Sequence, residues 1–296
     1  MRGAPTAPAT PRRAGFTIVE LLVAMIVTAV LGAALIRTMI SSSRFIDRVE
    51  SGREARGTAR AGLNLASSEL RMVSAGTGIE AATATSLTIR VPFRMGMACA
   101  STVGSPGVLV AALLPADTTI ASTSLGYNGF AALETSGEYA YVNSVANPTA
   151  GVVTTCTLAP ASLTLVAGTS VMSMTGVTVP TAIPAGTPVV LWRRVRYEIA
   201  ASTALPGRQA LWRRQLNNLG AVTQSDEIAA PLEAASRFGF YINNSRRTSD
   251  TVPTALGDLR GIELRLTGES VRTARGASRT EQSRVLSSIF FLNRPD

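Results

Sequence analysis

The sequence predicts an α+β fold: one long N-terminal helix, its first half built for a membrane and its second half amphipathic, packed on an antiparallel β-sheet with a large β-rich insertion. Three observations predict it. An apolar run from Phe16 to Ile36 carries one charge, Glu20. Helix-spaced apolar residues and arginines continue to about residue 74. Beyond that point short alternating or β-branched runs take over, separated by Gly, Pro and Ser.

Residues 1–15 are rich in Pro, Ala and Arg and read as a disordered leader. The next roughly 21 residues would make a helix of about 32 Å, enough to cross a bilayer core. Arg12 and Arg13 stand just before the run. By the positive-inside rule they hold that end in the cytoplasm, so the chain beyond Ile36 lies outside. A charge at mid-membrane costs on the order of 2.5–3.5 kcal/mol, so Glu20 asks for a partner. A cleaved secretory signal has a shorter apolar core and a small-residue site after it; here the run is long enough to stay in the membrane.

Gly15-Phe16 followed by Glu20, inside an otherwise apolar helix, closely resembles the N-terminus of type IV prepilins and type II secretion pseudopilins. The resemblance implies that prepilin peptidase cuts between Gly15 and Phe16 and methylates the new Phe16 amine. It implies that Glu20 neutralises the N-terminal amine of a neighbouring subunit. The implied partners are other pilins or pseudopilins along helix 16–74, inner-membrane lipid, and the inner-membrane assembly platform. The implied location is the bacterial inner membrane, single-pass with the C-terminal domain in the periplasm, and then the pilus or pseudopilus, at its tip. Many major pilins carry a Pro about twenty residues into the mature helix. Here Ala34-Leu35-Ile36-Arg37-Thr38 has none, which points to a minor subunit, and the bulky insertion at 95–188 points to one that initiates or caps assembly.

The second half of the helix is read from spacing. Val49, Leu63, Ala66, Leu70 and Val73 recur mostly at steps of three and four, one helix face. Arg44, Arg48, Arg53, Arg56, Arg60 and Arg71 mark the wetter side. Gly52, Gly57 and Gly62 each weaken a helix by about 1 kcal/mol relative to Ala; they mark either flexibility or close packing. Gly76 and Gly78 end the helix. Continuous from Phe16, it would be roughly 60 residues and about 90 Å long. The chain thus divides into leader 1–15, membrane half 16–36, amphipathic half 37–76 and extracytoplasmic β-rich domain 77–296.

Leu87–Pro92 alternates and is the first strand, closed by Pro92 or placed by it at an edge. Residues 95–188 contain no Arg and only Asp117, Glu134 and Glu138 as charges. Runs at Val108–Leu114, Tyr139–Val145, Val152–Leu158, Leu163–Val166 and Val189–Trp192 mark an inserted all-β lobe or elaborated loops. The alternative is a poorly ordered low-complexity insertion; its β-branched and aromatic content argues against that. Trp192–Ile199 and Ala210–Leu216 alternate around Pro206-Gly207, a hairpin turning near Ser202–Arg208. Ile228–Leu232, Phe238–Ile242, Leu259–Leu266 and Val285–Leu292 complete the sheet. Val195/Tyr197/Ile199, Leu211/Arg213, Gly261/Ile262/Leu264/Leu266 and Asn293-Arg294 loosely resemble the C-terminal pattern of PilW-type minor pilins and J-type minor pseudopilins.

Composition limits the chemistry. Every basic residue is Arg, with no Lys and no His, and the formal charge is +9. The leader's three arginines, with no acid, take that to +6 for the remainder. The absence of His removes Ser-His-Asp and Cys-His arrangements; the absence of Lys removes P-loops and Schiff bases. Gly76-Thr77-Gly78-Ile79-Glu80-Ala81 matches a dinucleotide loop in letters but comes after a helix rather than a strand. Asp226-Glu227 and Asp117, Glu134 and Glu138 lack the spacing of a calcium loop. Neither an enzyme nor a metal or cofactor site is expected. The arginine pairs 193–194, 213–214 and 246–247 could grip nucleic-acid phosphate; the stronger reading is a solvated face or pairing with acids of neighbouring subunits. Cys99 and Cys156, 57 positions apart, exclude a C-x-x-C site. In an exported domain they form one disulfide, the alternative being two buried thiols.

Overall fold

The computed structural model describes residues 15–296 except 75–76, 114–125, 136, 145–147, 152–154, 159–160, 165–169, 180, 243–248, 253 and 292–296. Arg12, Arg13, Gly76, Asp117, the 246–247 arginine pair and Asn293-Arg294 lie outside the described residues. The fold is the expected α+β arrangement: one long helix on a large antiparallel sheet.

Helix α1 (Ile18–Leu70) is unbroken through the end of the apolar run, 53 residues or about 80 Å. It stops before the glycines expected to end it. Met72 N–H donates to Glu69 O at 3.0 Å and Val73 N–H to Leu70 O at 3.2 Å. These tighter bonds close the last turn and bring Val73 into the core.

The helix meets the sheet only over its last third, through Ala55, Ala59, Gly62, Leu63, Ala66, Ser67 and Leu70. Val49, expected on that face, is 38% exposed. Small residues let the backbones approach. A Cβ on Gly62 would lie 2.7 Å from the Ala229 methyl, so this glycine serves close packing; Cβ atoms on Gly52 and Gly57 would meet nothing within 4 Å. From the sheet side, a Cβ on Gly268 would sit 2.0 Å from the carbonyl oxygen of Ala55. Gly268→Ala must push the helix away and is expected to destabilise by about 2–3 kcal/mol. Gly57→Ala is expected to stabilise by about 0.5–1 kcal/mol. Thermal unfolding of the two variants should move the midpoint in opposite directions.

The strands are β1 (Ile79–Ala82), β2 (Ser86–Thr102), β3 (Gly104–Leu113), β4 (Gly129–Leu133), β5 (Tyr139–Asn143), β6 (Thr149–Gly151), β7 (Thr155–Leu158), β8 (Ala161–Thr164), β9 (Ser170–Val179), β10 (Pro188–Ala201), β11 (Gln209–Leu216), β12 (Val222–Leu232), β13 (Arg237–Ile242), β14 (Leu259–Glu269) and β15 (Gln282–Phe290). Among the described residues all but β7 and β8 join one antiparallel sheet with the path β13-β14-β12-β11-β10-β2-β3-β9-β6. Strands β2 and β10 pair from Ser86–Glu198 to Met97–Pro188. The other flank of β10 is divided: Val189–Trp192 pair with β4, and Arg194–Ala201 with β11.

Two cores therefore share the same two strands. One lies under the helix and takes Leu87, Ile89 and Val91 from β2 and Val195, Tyr197 and Ile199 from β10. The other takes Ala98 from β2 and Val189 and Leu191 from β10, with Leu109, Phe130, Met172 and Met174. Residues expected as two separate strands, Val189–Trp192 and Trp192–Ile199, are one continuous element.

Pro92 does not close its strand. It pairs with Trp192 beside a register shift in the β2–β10 ladder. On the other flank, β1 pairs only as far as Ile89 and pairing with β3 begins at Gly96. Pro92, which has no N–H to give, thus sits where β2 is locally an edge.

The β10–β11 hairpin turns through Ser202–Arg208, with Ser202 N–H donating to Arg208 O at 2.8 Å. Glu227 on β12 holds this turn, accepting from Thr203 Oγ1 at 2.9 Å and Thr203 N–H at 3.0 Å. Burial nudges its carboxyl upwards, but the bonds from Ser202, Thr203 and Ala204 outweigh that and hold it below the usual range. A lowered carboxylate pKa stabilises above the unfolded value and is lost as pH falls through the folded one. The protection factors of amides 202–208, measured against intrinsic exchange at each pH, are therefore expected to fall as the pH drops through and below the ordinary Glu range in the wild type, and to be low already at pH 7 in Glu227→Gln.

Candidate functional site

The N-terminal segment has a local structure set by few residues. Gly15–Thr17 have no regular secondary structure, and Thr17 caps α1 in an extended conformation: its φ is −77° and ψ 150°, and its hydroxyl accepts from Glu20 N–H at 3.3 Å. An acid in the first turn is favoured by the helix dipole. The hydroxyls farther along turn back on the backbone, Thr28 Oγ1 donating to Ala24 O at 2.7 Å and Thr38 Oγ1 to Ala34 O at 2.9 Å. These two hydroxyls are thus satisfied within the helix, as a lipid environment demands.

None of this half packs on the domain. Phe16 is 81% exposed and Ile18 82%, and the best 18-residue window has mean hydropathy 2.5 with no residue buried. That much apolar surface left in water would be an aggregation site; a bilayer or neighbouring helices must cover it. Glu20 is exposed within it, and its carboxylate has no ion pair or hydrogen bond among the described residues. Gly15 has an open position too, with nothing within 4 Å of an added Cβ and no positive φ. Beyond the helix dipole, which favours any acid in the first turn, the described residues give no packing or pairing reason for Gly at 15, Phe at 16 or Glu at 20.

Residues 10–36 match the model of the prokaryotic N-terminal methylation motif. That match supports a type IV prepilin-like precursor. Together with the exposed apolar helix it points to a membrane-anchored structural subunit rather than an enzyme, interacting with other pilins and with prepilin peptidase. No curated protein and no solved structure gives a significant match to the chain.

The arginine pairs lie in other settings than the sequence suggests. Arg213 on β11 grips Glu69 near the end of α1, with Nη2 2.7 Å from Oε1 and Nε 3.1 Å from both carboxylate oxygens. Tyr197 on β10 donates to the same carboxylate at 2.6 Å. Burial pushes the Tyr197 hydroxyl far above its ordinary value, and the Glu69 charge adds to that. Burial alone would lower Arg213, but Glu69 more than reverses it. Arg194 and Arg90 share Glu80, with Nε at 2.6 and 2.8 Å, and Arg214 pairs with Glu198 at 3.1 Å. Arg193 stacks on Phe93, 4.2 Å from the ring centroid; burial, then repulsion from Arg213 and Arg94, lowers its pKa.

Arg194, Arg213 and Arg214 therefore each pair with an acid of their own chain. Nothing local in the sequence marks Glu69, Glu80 or Tyr197 as their partners, which stand up to 144 positions away. Among the described residues no three His, Cys, Asp or Glu side chains gather as metal ligands. Cys99 is buried on β2, and β7, the strand of Cys156, lies against β2.

Proposed function

We propose that the chain is a minor pilin or pseudopilin, a structural subunit that initiates or caps a type IV pilus or type II secretion pseudopilus. Prepilin peptidase cuts between Gly15 and Phe16 and methylates Phe16. Glu20 then pairs with the freed amine of a neighbouring subunit, which removes an isolated charge from an apolar bundle. One observation carries this reading: the methylation motif heads a helix whose apolar half is outside every core and whose acid has no partner among the described residues. The β-rich mass on β2 and β10 supports a position at the filament end, because bulk beside the helix obstructs close stacking from above. The deciding experiment is N-terminal mass spectrometry of the protein from cells with and without the peptidase. A methylated Phe16 start that depends on the peptidase is expected; a full-length leader in both strains would overturn the reading.

The same reading places the β-rich part in the oxidising periplasm with a Cys99–Cys156 disulfide. Burial of Cys99 and the contact between β2 and β7 support the pairing. By the chain-entropy argument a loop of this length contributes about 4 kcal/mol. Cys99→Ser is expected to lower the thermal midpoint and to match Cys156→Ser; unequal losses would speak against a shared bond.

A further inference from the structure

The loop between β14 and β15 runs as a strap along α1 on the side of the domain nearest the apolar half. Its first part is pinned: Ala274 is buried, and Arg275 Nε lies 3.5 Å from Asp47. Arg272 and Arg275 face Asp47, Glu50 and Glu54 across one cleft, so acids already balance these two arginines. The second part, Gly276–Gln282, lies against Arg48 and borders an open cleft of about 380 Å³. Arg44 also reaches it, with Nε 3.3 Å from where a Gly276 Cβ would be.

Arg37, Arg44 and Arg48 stand at steps of 7 and 4, within about 20° of one line along the helix. All three are exposed, as is Arg279 on the strap. The stripe begins one residue beyond Ile36. Helical side chains lean towards the N-terminus of their helix, so these guanidiniums lean back towards the end of the apolar run. Arg44 is about 12 Å along the helix from Ile36. A headgroup layer is roughly 5–7 Å thick, so the long Arg44 side chain reaches it and Arg37 lies in it. Arg48 and Arg279 fall within about one Debye length of it at physiological salt.

We propose that Arg37, Arg44, Arg48 and Arg279 form a basic collar that binds the phosphates of anionic phospholipid where the helix leaves the membrane, holding the domain and its strap against the headgroups. Ser278 and Thr280, which line the same cleft, offer hydroxyl donors to a phosphate, and the cleft sets Arg48 and Arg279 against one acid, Glu281. The collar rests on the membrane-anchored reading of residues 16–36 but not on any role in a filament.

The test uses the full chain in nanodiscs of phosphatidylcholine or of phosphatidylglycerol. Hydrogen exchange is followed on peptides covering 270–282. One arginine at an anionic surface is worth about fivefold in binding, so exchange is expected to slow at least fivefold in phosphatidylglycerol. The protection should vanish in 0.5 M salt and in Arg44→Gln/Arg48→Gln/Arg279→Gln. Should that variant misfold, the salt titration of the wild type still decides. Equal exchange in the two lipids, with the chain incorporated in both, would overturn the collar alone. Failure to incorporate into either would overturn the membrane anchor and the collar with it.

Discussion

Gly15→Ala is expected to leave the leader on the chain, so that the species beginning at Phe16 is lost while the domain folds as before. The reason is a contrast within one residue. Nothing lies within 4 Å of a Cβ at position 15, so the fold is indifferent to the substitution. A peptidase that must seat the scissile bond is not, and displacement of a reacting bond by about 1 Å costs on the order of 100-fold in rate. Glu20→Ala separates the next step. The carboxylate is exposed on the first turn, where it has no partner among the described residues, so its loss should spare both folding and cleavage. Incorporation into filaments should fall, and Glu20→Asp, which keeps the charge, should recover part of it. The checks are N-terminal mass for cleavage, circular dichroism for folding and sheared-filament yield for assembly. Normal filaments from both variants would remove the proposed mechanism.

The second large effect is expected at the join between helix and sheet. Glu69 and Arg213 are each 15% exposed, so either charge left alone would sit mostly out of water. Breaking such a pair from one side costs about 3–5 kcal/mol. For a domain of this size that lowers the thermal midpoint by roughly 6–15 °C. Arg213→Ala strands Glu69 against Tyr197; Glu69→Gln strands Arg213 beside Arg193, a like charge that already repels it. Tyr197→Phe removes one hydrogen bond to a charged acceptor and should cost less, about 1.5–3 kcal/mol. Replacing Glu69 and Arg213 together by Met removes both charges and should be milder than either single change. A double-mutant cycle with additive losses would show that the pair is not coupled.

Features that depend on neighbours along the chain are legible in the sequence. The apolar run, its single acid and the preceding Gly-Phe announce the N-terminal helix and its motif. Alternation and a Pro-Gly turn announce the β10–β11 hairpin. Features that depend on distant partners are not legible there. Spacing builds the helix face from Val49, Leu63, Ala66, Leu70 and Val73, all but Val49 buried, yet it passes over Ala55, Ala59 and Gly62, which join the contact. Small residues carry little hydrophobic signal, and their value is the close approach they permit. Likewise Pro92 reads as closing its strand or lying at an edge, and only the gap between β1 and β3 decides for the edge.

By itself the sequence determined the helix, the sheet-forming character of the chain beyond it, and the position of a prokaryotic methylation motif, because these are written in residues within a few turns of one another. The tertiary structure alone decided that β2 and β10 serve two cores, that Arg213 and Arg194 are spent on Glu69 and Glu80, and that a strap lies beside the arginine stripe. Each of these joins residues many tens of positions apart. The chemistry of a guanidinium or a glycine says what it can meet, and only the path of the backbone says what it does meet.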